Sequence, residues 1–83
     1  MNYKYNEEFC KAFGNQVRKL RLAKGISMRK FALAIDMEYS QLSKIELGTT
    51  NPTISTANAI AEGLELPVHQ LFDFKPNFKK KEK

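Results

Sequence analysis

Cysteine and histidine are almost absent from this 83-residue chain, in which Cys10 is the only cysteine and His69 the only histidine. A disulfide needs two cysteines, and a structural zinc site needs several cysteine or histidine ligands. Neither can form within one chain, and no cofactor is indicated. An enzyme or a metal protein is therefore a disfavoured class, and Cys10 is expected to be a small buried apolar residue.

Long apolar runs are also missing. No stretch approaches the roughly 18 apolar residues of a membrane span, and the first eight residues, MNYKYNEE, lack the apolar core of a signal peptide. No run alternates apolar and polar residues as a strand would. We therefore expect one small all-α domain, located in the cytoplasm and without a membrane partner.

Positive charge is present but unevenly distributed. The net charge is +5, from 14 lysines and arginines against 9 acidic residues. Residues 9–30 hold seven bases and no acid, whereas residues 31–74 hold six acids and one base, Lys44. This polarity would turn one side of the molecule toward a polyanion. Residues 75–83 carry five lysines and are predicted to be a disordered tail that either attracts phosphates or is simply solvated.

Apolar residues with helical spacing predict the first helix, which buries Phe9, Phe13, Val17 and Leu20. Asn6 is the expected cap, and the helix should end near Gly25. Gly14 lies within this helix, where glycine costs about 1 kcal/mol relative to alanine. It therefore indicates the close approach of another helix.

Residues 26–47 predict two short helices joined by a tight turn. Ser27 can cap a helix that runs to about Ile35, and a turn through Asp36 and Met37 then leads to a helix that ends before Gly48. Glu38 is expected to cap this third helix. Two short helices packed across a turn of about three or four residues form a helix-turn-helix.

The rest of the chain predicts two further helices, which brings the total to five. Thr53 is the expected cap of the fourth, whose buried face would comprise Ile54, Ala57, Ile60, Ala61 and Leu64. Pro67 opens a short last helix with apolar residues Val68, Leu71 and Phe72. The predicted organisation is an arm at 1–8, a domain at 9–74 with the helix-turn-helix at about 27–47, and the basic tail.

The order and spacing of several segments over roughly 13–72 resemble the phage-repressor-like helix-turn-helix family, also called the Cro/CI or XRE type. The matching segments are VRKLR (17–21), KGIS (24–27), FA (31–32), LSKIE (42–46) with Gly48, NPT (51–53) and LF (71–72). This resemblance implies a compact five-helix lambda-repressor-like domain without catalysis. Its third helix would enter the DNA major groove.

The resemblance also implies roles for individual residues. Base contacts are expected from the start of the third helix and comprise Tyr39, Ser40, Gln41 and Lys44. Phosphate contacts, which carry register rather than sequence information, are expected from Arg18, Ser27, Met28, Arg29, Thr49, Thr50 and Asn51. Arg21 and Glu46 would form a partly buried ion pair.

Two positions depart from the family pattern. The family usually has glutamine where Met28 stands, so a side-chain contact with DNA is not expected there, whereas the backbone N–H could still meet a phosphate. The turn commonly has glycine where Asp36 stands, because that residue adopts left-handed backbone angles. Aspartate tolerates such angles better than most residues do.

The leading functional hypothesis is a sequence-specific transcriptional regulator that binds double-stranded DNA. One recognition helix reads few bases, so we expect a homodimer on an inverted-repeat operator, with Val68, Leu71 and Phe72 at its interface. Phage repressors, restriction-modification controller proteins and regulators of small bacterial operons are all compatible with this. The alternative is an antitoxin whose main partner is a toxin. No small-molecule effector is indicated, and the expected setting is a bacterial or phage-encoded protein at the nucleoid.

Overall fold

A computed structural model describes residues 5–75, in which four α-helices are followed by one 3₁₀ helix. The α-helices are α1 (Glu7–Ala23), α2 (Met28–Ala34), α3 (Tyr39–Leu47) and α4 (Ile54–Leu64), and the 3₁₀ helix is Val68–Phe72. The prediction of an all-helical chain holds for these residues. Four of the five predicted helices are α-helices, whereas the last is a five-residue 3₁₀ helix, a length typical of this tighter winding.

Three of the predicted helix caps are confirmed. Side-chain oxygens of Asn6, Ser27 and Thr53 accept the backbone N–H three residues later, at 2.9, 3.1 and 3.1 Å respectively. Glu38 occupies the cap position of α3, but its side chain makes no capping hydrogen bond. That prediction is wrong, since only the Glu38 backbone carbonyl bonds to α3, where it accepts the Gln41 and Leu42 N–H groups. Since α1 begins at Glu7, it also includes the last two residues assigned to the arm.

One apolar core lies between the helices. Its fully buried side chains come from every element and comprise Val17, Phe31, Leu42, Ile45, Ile60, Leu64 and Leu71. Ile54 was expected to join this core, but its side chain is 87% exposed. Ile54 is the first residue of α4 and borders an open cleft of about 150 Å³ between α1, α4 and the 3₁₀ helix. No neighbouring element covers it there.

Cys10 is buried on α1, as the sequence indicated. Burial raises the pKa of its thiol, because a thiolate is poorly solvated in apolar surroundings. The reactive form is therefore disfavoured, and Cys10 acts as a small core residue.

Two backbone features bring α1, α2 and α3 together. A Cβ on Gly14 would lie 2.6 Å from the Glu46 carbonyl oxygen, which confirms that α3 approaches α1 closely at this glycine. Asp36 has φ +57°, so it takes the left-handed conformation that the resemblance implied. The Met37 N–H then donates to the Ala32 carbonyl at 2.8 Å and closes the turn between α2 and α3.

Candidate nucleic-acid interface

Helix α3 has one buried and one exposed face. Leu42 and Ile45 are buried against the core, and they anchor the helix. The exposed side chains comprise the polar Tyr39, Ser40, Gln41 and Lys44, followed at the end of the helix by Leu47, which is 64% exposed. All four residues predicted to contact bases therefore lie on the accessible side of one short helix. This is the side that could enter a groove.

A buried ion pair fixes α3 to α1. The Arg21 guanidinium donates to both carboxylate oxygens of Glu46, at 2.7 and 3.0 Å, and also to the Ile26 carbonyl at 2.8 Å. Arg21 is 5% exposed and Glu46 8% exposed. The hydrogen bonds to Glu46 raise the pKa of Arg21. The pair expected from the resemblance is present, and together with the bond to Ile26 it joins α1, α3 and the loop before α2.

The starts of α2 and α3 meet at the surface. The guanidinium carbon of Arg29 lies 4.8 Å from the centre of the Tyr39 ring, within the distance of a cation–π contact. From the sequence, these two residues were expected to have separate roles, and their contact was not predicted. No pattern in either segment alone signals it, because it depends on how α2 packs against α3.

The segment after α3 is held by backbone hydrogen bonds. Gly48 ends the helix in the left-handed conformation, with φ +78°. The N–H and the hydroxyl of Thr49 both donate to the Lys44 carbonyl, at 3.0 and 3.3 Å. Thr50 is half-buried and Asn51 exposed. Both donors of Thr49 thus have partners within the protein.

Tyr5 is a residue of the predicted arm that the sequence analysis did not single out. Its hydroxyl donates to the Gly48 carbonyl, and desolvation is the main factor that raises its pKa. This contact ties the amino-terminal end of the described chain to the end of α3. No local pattern signals it, since the two residues are far apart in sequence.

The other predicted phosphate contacts surround α3. Arg18 is exposed and lies four residues after Gly14 and three before Arg21, both of which contact α3. Residues with this spacing share a helix face, so Arg18 lies on the flank of α1 that turns toward α3. Ser27 and Arg29 are exposed, whereas the Met28 side chain packs against the core.

The three predicted dimer residues do not share one environment. Val68 and Phe72 are each 42% exposed, but Leu71 is fully buried. The prediction for Leu71 is therefore wrong, because its side chain fills the core of its own domain. The Phe72 ring lies 5.0 Å from the Phe13 ring at the cleft that Ile54 also lines. Ile54, which was expected in the core, is thus an exposed apolar residue beside Phe72.

Two helices joined by a tight turn, the second with its polar face outward and its inner face held by a buried ion pair, define a helix-turn-helix fold. Residues 17–71 match the helix-turn-helix family. The chain belongs to this family, and the sequence resemblance to its Cro/CI type is confirmed.

Known relatives are regulators. The chain is 35% identical over 63 residues to the control protein C.BamHI from Bacillus amyloliquefaciens, a match that covers 75% of this chain and 78% of the relative. The crystal structure of the restriction-modification controller protein C.AhdI from Aeromonas hydrophila superposes with a TM-score of 0.74 at 28% identity, covering 76% of this chain and 96% of that one. The controller protein C.Esp1396I, solved as a tetramer on its 35-base-pair operator, gives a TM-score of 0.75 at 25% identity and coverages of 82% and 90%.

Within residues 5–75, no helix is both long and apolar enough to cross a bilayer. The same part of the chain contains no group of three or more histidine, cysteine, aspartate or glutamate side chains placed to hold a metal ion.

Proposed function

We propose that this protein binds double-stranded DNA sequence-specifically as a homodimer and regulates transcription from an inverted-repeat operator. The exposed polar face of α3, held on a rigid scaffold by Arg21 and Glu46, carries the proposal. A DNA target implies that the protein works in the cytoplasm, at the nucleoid. The family match and the regulatory names of the relatives support binding rather than catalysis. They do not favour the antitoxin alternative.

Base recognition is assigned to the four exposed residues of α3. In the major groove, a lysine donates to guanine O6 and N7, and a glutamine pairs with adenine N6 and N7. Lys44 and Gln41 supply these groups, and Ser40 can donate or accept. Tyr39 offers its ring to a thymine methyl and its hydroxyl to a base or a phosphate.

Phosphate binding is assigned to residues around α3. Arg18 and Arg29 contribute charge, and Thr50 and Asn51 contribute side-chain donors. The Ser27 oxygen accepts the Lys30 N–H, which leaves its hydroxyl proton for a phosphate, and the Met28 N–H can act beside it. The N–H and the hydroxyl of Thr49 would first have to break their hydrogen bonds to the Lys44 carbonyl. We therefore rank Thr49 last among the proposed phosphate contacts. Together these contacts set the register of α3 in the groove.

Replacing Lys44 with alanine is expected to weaken binding to the preferred duplex by about 1–3 kcal/mol and to relax preference at particular base pairs. Lys19→Ala is the matched control, because Lys19 is exposed on the α1 face opposite the buried stripe. Selection from a random duplex pool, followed by titration of both variants at fixed salt, measures the effect. Equal and sequence-blind losses from the two variants would contradict the assignment.

We assign the homodimer interface to a surface patch formed by Ile54, Val68 and Phe72. Two-fold symmetry would place two α3 helices about 34–36 Å apart, one turn of DNA. The proposal is supported by the exposure of all three side chains and by the cleft that Ile54 and Phe72 line. The tetramer of C.Esp1396I on its operator is consistent with self-association.

Ile54→Ser is expected to shift the monomer–dimer equilibrium toward monomer by about tenfold or more, because burying an isoleucine side chain contributes about 1.5–3 kcal/mol per copy. Leu33→Ser is the matched control, since Leu33 is 82% exposed on α2, away from the patch. Sedimentation equilibrium at micromolar concentration measures both. A wild-type protein that remains monomeric both alone and on DNA would reject the dimer, and equal shifts in both variants would reject this surface.

A further inference from the structure

We propose that Arg29 helps to determine which DNA sequence is bound, by bracing the Tyr39 ring, in addition to any phosphate contact of its own. This inference rests on the proposed function. It differs from the expectation drawn from the sequence, in which Arg29 carried only register information.

The contact joins two exposed side chains on different helices. Arg29 lies in the first turn of α2, and Tyr39 is the first residue of α3. The guanidinium carbon lies 4.8 Å from the ring centre, and the ring is still 43% exposed. One face of the ring is thus covered by Arg29, while the rest of the side chain remains accessible to a partner.

The neighbours of Arg29 do not provide the same contact. The Met28 side chain packs against the core, and Lys30 makes no cation–π contact among the described residues. The ring of Tyr39 therefore has Arg29 as its cationic support. A ring at an exposed helix start otherwise has several rotamers available, and fixing one costs conformational entropy at the moment of binding. A brace present before DNA arrives lowers that cost.

An arginine can brace an aromatic ring and contact a phosphate at the same time. Its planar guanidinium can stack on an aromatic face while the N–H groups at its edge donate to a phosphate. Lysine keeps the charge but is a compact, strongly hydrated ammonium without a planar face. Replacing Arg29 with lysine therefore separates the charge from the stack.

The test is a double-mutant cycle between Arg29→Lys and Tyr39→Ala, read as relative affinities for the selected duplex and for its single-base-pair variants. Arg29→Lys keeps the charge, so it is expected to bind the single-base-pair variants at the positions read by Tyr39 about as tightly as the wild type, but the selected duplex less tightly. It should lose about two- to fivefold in preference at the base pairs that Tyr39→Ala also relaxes. In the Tyr39→Ala background, Arg29→Lys should change the preference no further. Lys30→Ala is the matched control and should lower all affinities alike.

A second measurement examines the brace without DNA. In the proton NMR spectrum, the Arg29 side-chain protons should be shifted upfield by the ring current of Tyr39, and this shift should disappear in Tyr39→Ala. Thermal unfolding confirms that each variant is folded.

The outcomes separate the two proposals. If the wild type binds no duplex even at low salt, the proposed function fails and this inference fails with it. If the wild type binds selectively but Arg29→Lys retains the full preference at every position, only the inference is overturned. A preference change that persists unchanged in the Tyr39→Ala background also overturns it, because Arg29 would then act independently of the ring.

Discussion

Replacing Glu46 with leucine is expected to destabilise the folded domain by about 3–5 kcal/mol. Arg21 would keep its charge at a position that is 5% exposed, and its two hydrogen bonds to the carboxylate would have no replacement. A buried unpaired charge costs far more than the loss of a surface contact. Since small domains have total stabilities of about 5–15 kcal/mol, a large fraction of the molecules should unfold on mild heating. Urea denaturation followed by circular dichroism measures the change.

The double variant Arg21→Met with Glu46→Leu separates unpaired charge from lost packing. Apolar residues of similar volume can replace a buried ion pair at little cost, so this variant should recover most of the lost stability. Lys24→Ala is the control for a surface pair, because the Lys24–Glu65 contact at 3.3 Å is largely exposed and should contribute below about 1 kcal/mol. A double variant that loses as much as the two single changes combined would show that the geometry of the pair, rather than charge burial, sets the cost.

Replacing Gly48 with alanine is expected to cost about 2–5 kcal/mol. An alanine at φ +78° carries a left-handed strain of about 1–2 kcal/mol. Its Cβ would also lie 2.6 Å from the Lys11 Cγ and 2.8 Å from the Lys11 backbone nitrogen. Overpacking of this kind adds about 1–3 kcal/mol. The end of α3 would have to move away from α1, which would also disturb the contact from Tyr5.

Gly25→Ala is the matched control for Gly48→Ala. Gly25 has a similar φ of +70°, but a Cβ there would meet no atom within 4 Å. It should therefore cost only the left-handed strain, about 1–2 kcal/mol. Chemical denaturation of both variants under the same conditions gives the difference, which reports the close packing of α1 against the end of α3. Equal losses would mean that backbone strain alone explains both.

The sequence predicted local features of the fold well. A capping side chain bonds a backbone N–H three residues later, so Asn6, Ser27 and Thr53 could be recognised from short segments. Gly14 and Asp36 were also informative from the local sequence. A side chain at Gly14 would clash with α3, and most residues would be strained at the positive φ of Asp36. Glu38 was the exception, since occupying the cap position did not bring its carboxylate to the backbone.

The candidate interface was predicted less completely. The exposed face of α3 follows from helical periodicity, and the Arg21–Glu46 pair came from the family resemblance. The Arg29–Tyr39 and Tyr5–Gly48 contacts were missed, because each joins residues of different elements. Their proximity depends on how those elements pack and has no signature in either segment alone.

By itself, the sequence determined the helical class, the helix-turn-helix and the polar face of α3, because these depend on periodicity and on interactions within a few residues. The tertiary structure decided that Leu71 is buried, that Ile54 is exposed and that Arg29 stacks on Tyr39. An apolar side chain is buried only where other elements cover it, and that arrangement is set by the packing of segments distant in the chain.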